Sequence, residues 1–181
     1  KEEDEYTAAL VQYLCDQTSC HGLYLRRQSS NDSNYDRGTQ YKLFLSRIIS
    51  EERIRFVMDL HGASDRHNFG VALGTMNGRS CPDQIAAIVN VFRRHGFSFE
   101  GEGFFHLEVD GLFTASGGNH QETITRFVKD TLGVDAIQVE LASRIRVVRA
   151  MVNGSRKEIY RGDPAMIERM ASALTEVVRI L

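Results

Sequence analysis

Two short apolar runs, residues 54–60 and 136–141, constrain the fold of this chain most strongly. Each is rich in aliphatic side chains, and each is too short to stand as a buried helix. Such runs read as strands covered on both faces, because a strand with one wet face alternates polar with apolar. Helical patterns surround them. Tyr6, Leu10, Val11 and Leu14 recur at helical spacing, as do Tyr41, Phe44, Leu45, Ile48 and Ile49. Pro82-Asp83 opens a helix carrying Ile85, Ile88, Val89 and Phe92, which Gly96 ends. Ile124, Phe127, Val128 and Leu132 predict a helix stopped by Gly133. Asp163 caps, and Pro164 starts, a last helix through Ile167, Met170, Leu174, Val177, Val178 and Leu181. Residues 21–27 and 69–75 read as further strands, and 97–109 as extended chain. This alternation predicts an α/β fold: a three-layer arrangement with a mixed, mostly parallel sheet flanked by helices.

Bulk properties narrow the function. The 181 residues suffice for a single domain with a real core. A net charge of −2 gives no reason to expect nucleic acid or an anionic membrane as partner. No apolar run is long enough to span a bilayer. The acidic start, Lys1-Glu2-Glu3-Asp4-Glu5, lacks the apolar core of a signal peptide. The chain starts without Met, which marks it as processed or as a fragment. Three cysteines (Cys15, Cys20 and Cys81) in no pairing pattern suggest reduced thiols and a cytoplasmic setting.

Ligands of open α/β sheets bind beyond the carboxyl ends of strands. The first apolar run ends Asp59-Leu60-His61-Gly62, which aims an imidazole into that crevice beside a residue without a side chain. Asp59 lies on the same strand face as His61 and suits a carboxylate that orients the ring. The alternative is a His merely hydrogen-bonded at a strand end. The second run places Gln138 and Glu140 on one face of an otherwise apolar strand. A buried carboxylate is costly unless it is paired or used, and desolvation raises its pKa toward that of a neutral-pH general base. The alternative is pairing with Arg144 or Arg146. Asn31, Asp32 and Asn34 suit either a polar ligand or an Asx turn. Residues 74–80 lack the spacing of a phosphate-binding loop.

In order, the Asn31-Asp32-Ser33-Asn34 loop, Asp59-Leu60-His61-Gly62, residues 73–81, Gly96-Phe97-Ser98, Gly117-Gly118 and residues 133–141 resemble the N-formylglutamate amidohydrolase family. That family is related to the zinc carboxypeptidases and aspartoacylases. The resemblance covers about residues 23–146. It implies a zinc-carboxypeptidase-like (phosphorylase/hydrolase-like) fold and a single domain over 1–181 that lacks the family's first strand. It implies zinc as cofactor, with His61 as a ligand and Glu140 as the catalytic base. The substrate would be an N-acyl amino acid or small acidic peptide, its carboxylate held by Asn34 with Arg144 or Arg79. Two departures stand out. No early His followed by an acidic residue supplies the remaining metal ligands, which leaves a non-catalytic binding or regulatory domain as the alternative. Tyr35 stands where the family often has Arg, although Arg37 is near.

Overall fold

The computed structural model describes residues 4–27, 30–147 and 162–181. Five helices and four strands alternate among them: α1 (Thr7–Thr18), α2 (Gln40–Glu51), β1 (Phe56–Ala63), β2 (Val71–Gly74), α3 (Ile85–Arg94), β3 (Leu107–Val109), α4 (Ile124–Leu132), β4 (Asp135–Ala142) and α5 (Pro164–Ile180). The strands form one sheet in the order β1-β4-β2-β3. β1 runs parallel to β4 and β2 parallel to β3, while β2 and β4 are antiparallel. The mixed, mostly parallel sheet flanked by helices thus agrees with the sequence pattern.

Alternation along the strands sorts side chains into two layers. On one side, Ile137, Val139 and Leu141 of β4 join Val71, Leu73 and Leu107 beneath α1, α3 and α5, with Ile88, Val91, Phe92, Met170, Leu174 and Val177 as the helical contribution. On the other, Ala136 and Val57 pack against Leu45 and Ile49 of α2 and Ile124 and Val128 of α4. The central strand is therefore covered on both faces, and residues 136–142 are all buried.

Local chemistry fixes the helix ends near the site. The Thr123 hydroxyl accepts from Arg126 N at 3.0 Å and starts α4, a cap of about 1 kcal/mol. Gly133, at φ 70°, ends it in the left-handed conformation that favours glycine. Asp163 Oδ1 accepts from Ala165 N at 2.9 Å and Met166 N at 3.3 Å, so α5 begins as its Asp-Pro pair predicts. Among the described residues no helix is long and apolar enough to cross a membrane.

Three expectations need correction. Residues 21–27 form no strand. A strand needs a ladder partner, and residues 21–27 pair with none of the four strands, β1 included, although among the described residues β1 pairs with β4 alone and its outer edge is open. Residues 97–109 are mostly irregular: only Leu107–Val109 is a strand, preceded by the 3-10 turn Gly103–Phe105 and an isolated bridge from Ser98 to His106. α3 starts at Ile85, beyond the Pro82-Asp83 turn.

Candidate active site

The parallel register of β1 and β4 pairs His61 with Glu140 and Asp59 with Gln138. On the far side of β4, Ala72 lies opposite Glu140 and Gly74 opposite Gln138. Four polar side chains thus stand together on the α2/α4 face, beside a strip of minimal side chains. Gly74 is required there: a Cβ would lie 2.9 Å from both Ala115 N and Phe113 O, so the loop over β2 can descend only onto glycine. A cleft of about 700 Å³ opens above, lined by Asp4, Asn34, Tyr41, Asp59, His61, Arg66 and Glu140 among others.

Both imidazole nitrogens of His61 meet carboxylates. Nε2 lies 3.0 Å from Asp59 Oδ2 and Nδ1 lies 3.3 Å from Asp4 Oδ1. Asp4 Oδ1 also accepts from Gly62 N at 2.9 Å, which fixes it over the strand end. Burial alone would depress the His61 pKa. The Asp59 charge, the hydrogen bonds with Asp4 and Asp59 and the Glu140 charge outweigh it and hold the value well above 6.5. For Glu140, burial pushes the pKa up, and the nearby Asp4 and Asp59 charges add to it. The His61 charge and the Gln138 amide oppose the rise without cancelling it. Burial also acts upward on Asp4, but the His61 hydrogen bond and charge and the Gly62 N–H bring it below the ordinary carboxylate value. Burial and the Asp59 charge raise the Tyr41 phenol.

Gln138 Nε2 donates to Glu140 Oε1 at 2.7 Å. The Gln138 side-chain oxygen is buried with no hydrogen-bond partner among the described residues. An orphaned amide oxygen beside a buried carboxylate carries a desolvation penalty of about 1–3 kcal/mol that an apolar pair would avoid. Stability alone does not account for this pair of residues.

The polar loop before α2 is built into the site. The Asn34 amide oxygen accepts from Ile124 N at 2.9 Å, and the Asn34 carbonyl accepts from Gln121 Nε2 at 3.1 Å. Asp32 Oδ1 takes Asn34 N at 2.9 Å, the Asx turn that the sequence left open. Buried Lys42 clamps the loop from below, donating to Asp36 O at 2.7 Å, Glu122 O at 2.6 Å and Glu122 Oε2 at 3.0 Å.

Of the residues singled out by sequence, His61, Glu140 and Asn34 line one cleft. Arg144 and Arg79 are not among its lining. The Arg144 guanidinium lies 5.0 Å from the centre of the Phe104 ring, and the Arg144 backbone N–H donates to Asp65 Oδ1 at 3.2 Å. Arg79 pairs with Asp130 at 3.4 Å on the surface of α4. Arg146, the other partner considered for Glu140, instead donates to Leu141 O at 3.0 Å and to Glu5 O. Sequence reasoning missed Asp4 and Tyr41. Asp4 sits in an acidic run that reads as solvated surface, and Tyr41 reads as one apolar position of a helix.

A catalytic zinc takes three protein ligands and a water. His61 Nδ1 and Asp4 Oδ1 have the right chemistry for two. Among the described residues no group of three or more His, Cys, Asp or Glu is arranged to hold a metal ion. The described donors therefore do not by themselves complete a zinc site. No family model, no curated protein and no solved structure matches the chain.

Proposed function

We propose that this cleft hydrolyses an amide bond in an N-acyl amino acid or small acidic peptide, with Glu140 as the proton-handling group. The reading extends the resemblance to N-formylglutamate amidohydrolases and, with it, a zinc-carboxypeptidase-like fold in a single domain short of one family strand. The observation that carries it is the in-register pairing of His61 with Glu140 at the carboxyl ends of two parallel strands, facing a cleft. Glu140 is buried, and its raised pKa lets it accept a proton from an attacking water and return it to the leaving nitrogen. This reading assigns His61 Nδ1 to zinc, the metal taking the place of the proton now shared with Asp4, while Asp59 fixes the ring through Nε2.

The test joins metal analysis to turnover. With His61 Nδ1 and Asp4 Oδ1 as its donors, the protein is expected to hold about one zinc, more weakly than a three-ligand site would. It is expected to hydrolyse N-acetyl-L-glutamate, and His61→Ala should lose both properties. A protein that binds no zinc under reducing conditions and releases no acyl group contradicts the reading. A non-catalytic binding domain is the second reading, favoured by the lack of a three-donor group among the described residues. It predicts ligand binding without turnover.

A further inference from the structure

The cleft presents an electrostatic problem for the substrate just proposed. Asp4, Asp32, Asp59 and Glu140 all line it, so a bound carboxylate faces repulsion near the reacting groups. Among the lining residues Arg66 alone is Arg or Lys. It sits in the 3-10 turn Asp65–His67 directly after β1, and the Ser64 hydroxyl caps that turn at Arg66 N, 3.5 Å away. No ion pair or side-chain hydrogen bond engages its guanidinium among the described residues. Arg79, Arg126 and Arg146, which do not line the cleft, are engaged elsewhere: Arg79 with Asp130, Arg126 with Asp130 and the carbonyls of Ser116, Gly118 and Gln121, Arg146 with the carbonyls of Leu141 and Glu5. The neighbour His67 is held in place by aromatic packing, its ring centroid 6.0 Å from that of Phe69 and 5.5 Å from that of Phe113.

We infer that Arg66 is the carboxylate-binding residue of the cleft and sets its preference for acidic acyl compounds. The inference rests on the hydrolytic reading for the identity of the ligand but has its own test. A guanidinium offers two parallel N–H donors to a planar carboxylate, which suits it to fix the substrate's orientation. Its place beyond the end of β1 sets the substrate's polarity: the carboxylate lies past the strand end, and the amide lies back over His61 and Glu140. Arg144 and Arg79, which the sequence suggested for this role, do not line the cleft.

The experiment measures binding of N-acetyl-L-glutamate, and of the same compound with both carboxyls amidated, by NMR titration of the full chain. Wild type should prefer the diacid. Arg66→Met should weaken diacid binding about tenfold or more, as expected when a charge-assisted pair is lost. The same variant should bind the diamide as wild type does, and Arg66→Lys should recover part of the loss. In turnover, KM for the diacid should rise by more than kcat changes. Equal diacid affinity in wild type and Arg66→Met, or a wild-type preference for the diamide, overturns the assignment. Wild-type binding without hydrolysis, lost in Arg66→Met, upholds Arg66 and overturns the hydrolytic reading. Hydrolysis that Arg66→Met leaves untouched does the reverse.

Discussion

The two faces of β4 are made from the same eight residues yet obey different rules. Toward α1, α3 and α5 it presents Ile137, Val139 and Leu141, each fully buried in a continuous apolar layer. Toward α2 and α4 it presents Ala136, Gln138 and Glu140, also buried, with an unpartnered amide oxygen and a carboxylate out of water. The first face earns stability from area removed from water, about 25 cal/mol per Å². The second gives some back, since its groups lose hydration without full replacement. Folding alone does not account for such a face, and its Glu140 lines the cleft.

The difference can be broken from the apolar side first. Leu141→Ala should destabilise by about 2–5 kcal/mol, because the close-packed layer cannot collapse around the lost atoms. Urea unfolding measures it, and a loss under 1 kcal/mol would mean the layer is looser than described. The α2/α4 side depends instead on polar pins. Lys42→Met should cost about 2–4 kcal/mol by leaving the Glu122 carboxylate and two carbonyls without their shared donor. It should also loosen the Asn34 loop, visible as faster amide exchange at Ile124, whose N–H that loop accepts. The smallest effect belongs to the outer surface of the apolar layer. There Arg94 and His95 hydrogen-bond Glu176 and hold it below the ordinary carboxylate value of 4.5. A lowered carboxylate contributes stability above its unfolded pKa and loses it as pH falls through the folded one. Glu176→Gln should therefore lower stability slightly at pH 7, leave it unchanged well below the folded pKa, and so flatten the acid limb. Wild-type stability at pH 7 with an unaltered acid limb would contradict this.

The contrast also explains what the sequence could reveal. β1 and β4 were legible because a strand buried on both faces must be apolar, which makes Asp59, His61, Gln138 and Glu140 conspicuous exceptions. Their convergence was readable only as a possibility, since the register that joins positions 61 and 140 depends on strand order. Residues 21–27 misled because alternation describes a strand's two faces and does not show that the segment hydrogen-bonds to a neighbouring strand. Arg66 went unremarked because a lone arginine in a turn looks like surface until it is seen to line the same cleft as four carboxylates. Asp4 lies 58 positions from Gly62, whose N–H it accepts, and no local pattern announces so distant a contact.

The most direct test of the central claim pairs two readings on Glu140→Gln. The substitution keeps the shape of the side chain and removes a buried charge, so stability at pH 7 should hold or rise. Hydrolysis of N-acetyl-L-glutamate should fall by about 100-fold or more, the scale of losing a general base. Turnover equal to wild type in a folded Glu140→Gln protein would contradict the account.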